Sequence, residues 1–178
     1  FIDAKNKIYS AEEQSNTAFL YNLETETAFK NRLSLFEKAA TDTGVNGVVF
    51  GRVDYAKSQN ISREDINTSR ITGAAETVAK MCAENQLDLV VGGGISEESI
   101  SVLQKLRNIH LTRFETRKII FSSDCLTLAN DAVKSGLLQA VHFELLWLQN
   151  KREHYRVIEI EDEKRIEMLE ARWNVLGS

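Results

Sequence analysis

The sequence predicts an α/β protein built on a parallel sheet, and three observations lead there. Four short apolar runs of strand length recur along the chain: Ala18 to Leu23, Val45 to Phe50, Leu87 to Val91 and Lys118 to Phe121. Between them lie stretches whose apolar residues return every three or four positions, the period of an amphipathic helix. Acidic residues and glycines follow the runs directly, at the strand ends where α/β proteins keep their chemistry.

Taken in order, Phe1 to Thr17 is polar, and Ser10-Ala11-Glu12-Glu13 reads as a helix start in which Ser10 caps and Glu13 closes a capping box. After the first apolar run, Thr25 to Ala40 reads as one helix with Phe29, Leu33, Phe36 and Ala40 on a single face. Thr43-Gly44 is expected to end it, because glycine takes the left-handed C-terminal conformation at low cost. The second run is followed by a long polar connection, Gly51 to Ser69, and by a helix from Ile71 to Asn85 burying Ala75, Val78, Ala79 and Cys82. The third is followed by Gly92-Gly93-Gly94 and a helix from Glu97 to Leu106. Arg113 to Arg117 reads as a surface loop before the fourth strand, after which Ser122-Ser123-Asp124 leads into a longer helix. Beyond about Ser135 the alternation stops. Arg156 to Ile160 reads as extended, and Glu161 to Trp173 as a charged helix.

Composition excludes several classes. With 43 % hydrophobic and 27 % charged residues the chain reads as soluble and globular, and a net charge of −4 offers no basic footprint for nucleic acid or an anionic membrane. No apolar run approaches the ~20 residues that cross a bilayer. The two cysteines, Cys82 and Cys125, have neither metal-ligand spacing nor a disulfide framework, so a reducing, cytoplasmic compartment is expected. The start, Phe1-Ile2-Asp3, is neither an initiator methionine nor a signal peptide, which suggests a fragment. The absence of proline removes the sharpest markers of loop boundaries.

Glu24 and Asp54 each follow an apolar run and precede a helix. Two such carboxylates can converge on one divalent cation, since hard cations take oxygen ligands and need few from protein. They can equally be acids in first helical turns, favoured there by the dipole. Gly92 and Gly93, with Gly94, fit either a phosphate site at a helix N-terminus or a tight turn with Ser96 as cap. Arg52 and Lys57 suit an anionic substrate group or a solvated loop. His110, His142 and His154 share no spacing and receive no catalytic role.

The segments Asn22-Leu23-Glu24-Thr25 and Gly44-Val45-Asn46-Gly47-Val48-Val49-Phe50-Gly51-Arg52-Val53-Asp54 resemble the HpcH/HpaI aldolase and citrate lyase family of the phosphoenolpyruvate/pyruvate superfamily. Leu23-Glu24-Thr25 matches that family's Ile-Glu-Thr step and Gly51 with Asp54 its Gly-Pro-x-Asp step; Arg52 stands where the family has proline, and Tyr55-Ala56 replace Leu-Ser. The resemblance implies a (β/α)8 TIM barrel of which this chain supplies the last four βα units. One domain, 1–178, would comprise the barrel half, 18–135, and a C-terminal helical extension, 136–178. It implies Mg2+ or Mn2+ held by Glu24 and Asp54, with Gly51, Arg52, Gly92 and Gly93 beside the substrate. The activity implied is a carbon–carbon lyase working through a pyruvate-type enolate on a 2-oxo acid or acyl substrate. An arginine of the first barrel half would complete the site, so a homo-oligomer or a missing N-terminal half is expected. The alternatives are a phosphate-sugar isomerase or synthase using Gly92 to Gly94, and a non-catalytic barrel relative.

Overall fold

The computed structural model describes residues 2–41 and 44–177. Contacts divide the chain into two compact units, Phe1–Leu138 and Gln139–Ser178. The first unit is α/β. Its N-terminal helices are α1 (Ile2–Ile8) and α2 (Ala11–Ser15), the latter opened by the expected capping box: Ser10 Oγ accepts from the Glu13 amide, and the Ser10 amide donates to Glu13 Oε2 at 2.8 Å.

The sheet contains β1 (Leu20–Asn22), β2 (Gly47–Gly51), β3 (Asp88–Gly92), β4 (Arg113–Glu115) and β5 (Ile120–Ser122), laid side by side in that order. The first four are parallel, and β5 is antiparallel to β4. This corrects the expected fourth strand. Lys118 to Phe121 does not begin a parallel strand, and the predicted surface loop at Arg113 is itself strand β4. The reason is the short return from Thr116 to Ile119, closed by the Thr116 amide on the Ile119 carbonyl at 2.9 Å. A connection that short permits only an antiparallel neighbour, since a parallel crossover needs a dozen residues or more.

Helices occupy the connections: α3 (Glu26–Lys30) and α4 (Arg32–Thr41) after β1, α5 (Arg52–Ser58) and α6 (Ser69–Glu84) after β2, and α7 (Ile100–His110) after β3. The single helix predicted from Thr25 to Ala40 is broken at Asn31, which caps α3. Burial then falls on Phe36 and Ala39, while Leu33 is 70 % exposed. Of the expected stop at Thr43-Gly44, Thr43 lies outside the described residues. In α6 the predicted face holds: Ala75, Val78, Ala79 and Cys82 are fully buried. The last helix, α8 (Asn130–Leu176), absorbs both the predicted extended segment at Arg156 to Ile160 and the predicted charged helix. With neither glycine nor proline between Leu137 and Leu176, nothing stops it. Among the described residues no helix is long and apolar enough to cross a membrane.

Side chains alternate across the sheet, so each strand splits its residues between two faces. Leu23, Val48, Phe50, Leu89, Val91 and Phe114 point to one face and enter the main core with α6 and α7. The other face carries Leu20, Asn22, Glu24, Val49, Asp88, Val90, Arg113 and Glu115, of which Val90 alone is buried. Asp88 and Arg113 pair across this second face at 2.8 Å.

Candidate functional site

The second face ends in a row of four residues at the C-terminal edge of the parallel strands. Gly51 lies opposite Gly92. Val91 lies opposite Phe114, so the next register step sets Glu115 beside Gly92. Asn22 lies opposite Val49, and the Leu23 amide continues the ladder onto the Val49 carbonyl at 2.8 Å, which brings Glu24 beside Gly51. The row therefore reads Glu24, Gly51, Gly92, Glu115.

Both carboxylates lean inward over the glycines. A Cβ on Gly51 would lie 2.6 Å from Glu24 Oε2, and a Cβ on Gly92 would lie 3.0 Å from Glu115 Oε1. The glycines are needed here for the space above them rather than for their backbone, since Gly51 has an ordinary φ of −84°. Glu24 is steadied by Asn22, whose Nδ2 donates to Glu24 Oε1 at 3.0 Å. Partial burial, and then the neighbouring Glu24 charge, push the Glu115 carboxyl above the usual carboxylate range.

Asp54 is exposed in the first turn of α5. Among the described residues no group of three or more His, Cys, Asp or Glu side chains gathers to hold a metal. Lys57 is also exposed. Arg52 is wholly buried. One guanidinium nitrogen donates to Asn67 Oδ1 at 2.8 Å, and the other donates to the carbonyls of Gly93 at 2.8 Å and Gly94 at 3.1 Å and to Ser99 Oγ at 3.2 Å. Burial lowers its pKa; the acceptors in these bonds are all neutral, and among the described residues its buried Nε has no acceptor. The geometry makes Arg52 the brace of the Gly93-Gly94 turn, in which both glycines have positive φ, +83° and +60°. A Cβ on Gly93 would fall 2.7 Å from the Val53 amide nitrogen, so the turn packs closely on the start of α5.

Sequence reasoning passed over Glu115. It sits on a strand of three residues with one buried side chain, and the available signal was the polar–apolar–polar alternation of Arg113-Phe114-Glu115. Cys82 is fully buried on the predicted face of α6, and burial pushes its thiol up to about 12; Cys125 is only half-buried, with its thiol also raised. No family model, curated protein or solved structure matches this chain.

Proposed function

We propose that the Phe1–Leu138 unit is the C-terminal half of a (β/α)8 barrel and that it serves a divalent-metal-dependent carbon–carbon lyase acting on a 2-oxo acid through a pyruvate-type enolate. The observation that carries this reading is the row Glu24, Gly51, Gly92, Glu115 at the C-terminal ends of parallel strands. Barrel enzymes place their catalytic groups at that end. Consecutive strand order supports the barrel, because right-handed crossovers between sequential neighbours put every helix on one face and leave the other for a barrel interior.

The donors fit a hard cation. Mg2+ or Mn2+ takes oxygen ligands, needs one or two carboxylates, and leaves the remaining positions to water and substrate. Glu24, held by Asn22, is the first donor in this reading, Asp54 after β2 the second, and Glu115 faces Glu24 across the glycines. When bound, the ion would polarise the keto group of a 2-oxo acid and stabilise the negative charge that develops as the carbon–carbon bond breaks. Glu115, whose carboxyl holds its proton more readily than an ordinary glutamate, is suited to giving a proton to the substrate carbon or taking one from it.

The phosphate-binding alternative is less well supported. The Glu115 carboxylate, which leans over Gly92, brings negative charge to the place where the phosphate would sit. The test is Mn2+ binding to this chain by electron paramagnetic resonance, repeated with Glu24→Gln, together with methyl-proton exchange of pyruvate in D2O by the assembled barrel. Mn2+ binding that Glu24→Gln abolishes is expected. Unchanged binding in Glu24→Gln, or metal-independent proton exchange, would rule the lyase reading out.

A further inference from the structure

In the Gln139–Ser178 unit, α8 carries apolar side chains in a heptad frame. Leu145, Ile166 and Trp173 occupy its first core position, and Val141, Leu148, Tyr155 and Leu169 its second. All seven are exposed, by 45 % or more of their surface, on a helix to which the described residues of this unit give no second element. Together they leave on the order of 800 Å2 of surface per chain, which is about what each partner buries in a stable interface. From Val141 to Trp173 the helix rises about 50 Å. Three charged residues, Arg152, Glu159 and Asp162, complete the frame at its middle.

These charges discriminate between partners and between orientations. In a parallel pair of identical helices each core position meets its own copy, so Arg152 would face Arg152, Glu159 would face Glu159 and Asp162 would face Asp162. Like charges set opposite one another in an apolar seam are costly. In an antiparallel pair a first core position meets a second one, and the spacing here is symmetric about Val157. Leu145 then faces Leu169, Ile166 faces Leu148 and Trp173 faces Val141. Arg152 faces Asp162 as an ion pair, and Glu159 faces the hydroxyl of Tyr155, which donates to it. Every layer between Val141 and Trp173 is complementary, and each occurs twice by the dyad.

We propose that α8, from Val141 to Trp173, forms an antiparallel two-stranded coiled coil with the same segment of a second copy of this chain, with Arg152 and Asp162 setting its direction. This interface is independent of the lyase reading, because none of its residues belongs to the Glu24 to Glu115 row.

Sedimentation equilibrium of the full chain at tens of micromolar gives a mass of two 20.1-kDa chains. Direction is read by disulfide capture. Leu145→Cys and Leu169→Cys each fail to cross-link when oxidised alone but cross-link when mixed in equal amounts, with the wild-type chain as control for Cys82 and Cys125. Arg152→Asp or Asp162→Arg raises the dimer Kd by about tenfold or more, and the double exchange restores it to within about threefold. These side chains are all exposed, so the first unit keeps its fold, as thermal unfolding of that unit verifies. A monomeric mass, a mass beyond two chains, self-cross-linking of either cysteine variant, or a double exchange as weak as the singles overturns the proposal.

Discussion

Replacing Gly51 by alanine tests the row directly, because its backbone already suits alanine and any effect must come from the space above it. The added Cβ would meet Glu24 Oε2 at 2.6 Å and Glu24 Cβ at 3.1 Å. The carboxylate end can swing away, but the Cβ is anchored to the strand and has only tenths of an ångström to give. Overpacking of this kind costs about 1–3 kcal/mol. Stiffening the unfolded chain returns about 0.4–1 kcal/mol, leaving a net loss near 1–2 kcal/mol. Gly73 supplies the control. It lies in the interior of α6, where a Cβ meets nothing within 4 Å, so Gly73→Ala should stabilise by about 0.5–1 kcal/mol. Urea unfolding of the two variants should therefore give opposite signs for the same chemical change. Mn2+ affinity should fall by at least about tenfold in Gly51→Ala, since metal sites tolerate errors of only a few tenths of an ångström, and should be unchanged in Gly73→Ala. Equal stabilisation by both substitutions, with Mn2+ binding intact, would show that Glu24 does not lie over Gly51.

Two further outcomes follow from the same geometry. Glu115 has a folded-state pKa raised by burial and by Glu24, so the folded protein binds its proton more tightly than the unfolded chain. Its favourable contribution is then complete below the unfolded value, about 4.3, and is lost as pH rises through the higher folded value. Glu115→Gln should accordingly raise Tm at pH 7, with the gain vanishing near pH 3.5, while weakening Mn2+ binding; a gain that persists at low pH would remove charge as its cause. Arg52→Met leaves the Gly93 carbonyl and Asn67 Oδ1 without this donor, while Gly94 keeps its bond from Ser99 Oγ at 3.2 Å, which should cost about 2–4 kcal/mol, and Arg52→Lys should recover little because one ammonium cannot span acceptors arranged for a planar fork. Full stability of Arg52→Lys in urea unfolding would show that the fork is not what holds the turn.

Where one residue type dominated a long window, the sequence was enough to place an element. Sixteen residues of α6 repeat small apolar side chains at helical spacing, and β2 and β3 are continuous apolar runs bounded by glycine and polar residues. The rest depended on contacts remote in sequence. Strand β4 has one buried residue, Phe114, and is held by pairing to β3 and by the stacking of Phe114 on Phe121 at 5.0 Å. The β-branched cluster Val157-Ile158-Ile160 resembles a strand locally, yet it lies inside α8, where flanking helix formers override the local preference. Glu24 was readable as an acid after a strand. The structural work of Arg52 was not, because its acceptors are 15 to 47 residues away.

The two glycines of the row explain why acids on strands three places apart can act together at all. Neighbouring strands are about 4.8 Å apart, so the backbones of Glu24 and Glu115 are separated by roughly 14 Å across β2 and β3. A glutamate reaches about 4–5 Å from its Cα with standard bond lengths, and two reaching inward close that gap to roughly 5 Å. That leaves room for a small ligand held on Glu24, with Glu115 facing it from the other side. Any side chain at position 51 or 92 would fill the space that the carboxylates cross. A sheet stabilised for its own sake would carry β-branched residues at those central positions, as it does one step earlier with Val49 and Val90 and on the opposite face with Val48 and Val91. Glycine at both gives up that packing at the end of the strands where barrels do chemistry, and it does so between two acids. The loss is understandable if the space is for a ligand, which is why the Gly51 and Glu115 substitutions are read by metal binding as well as by stability.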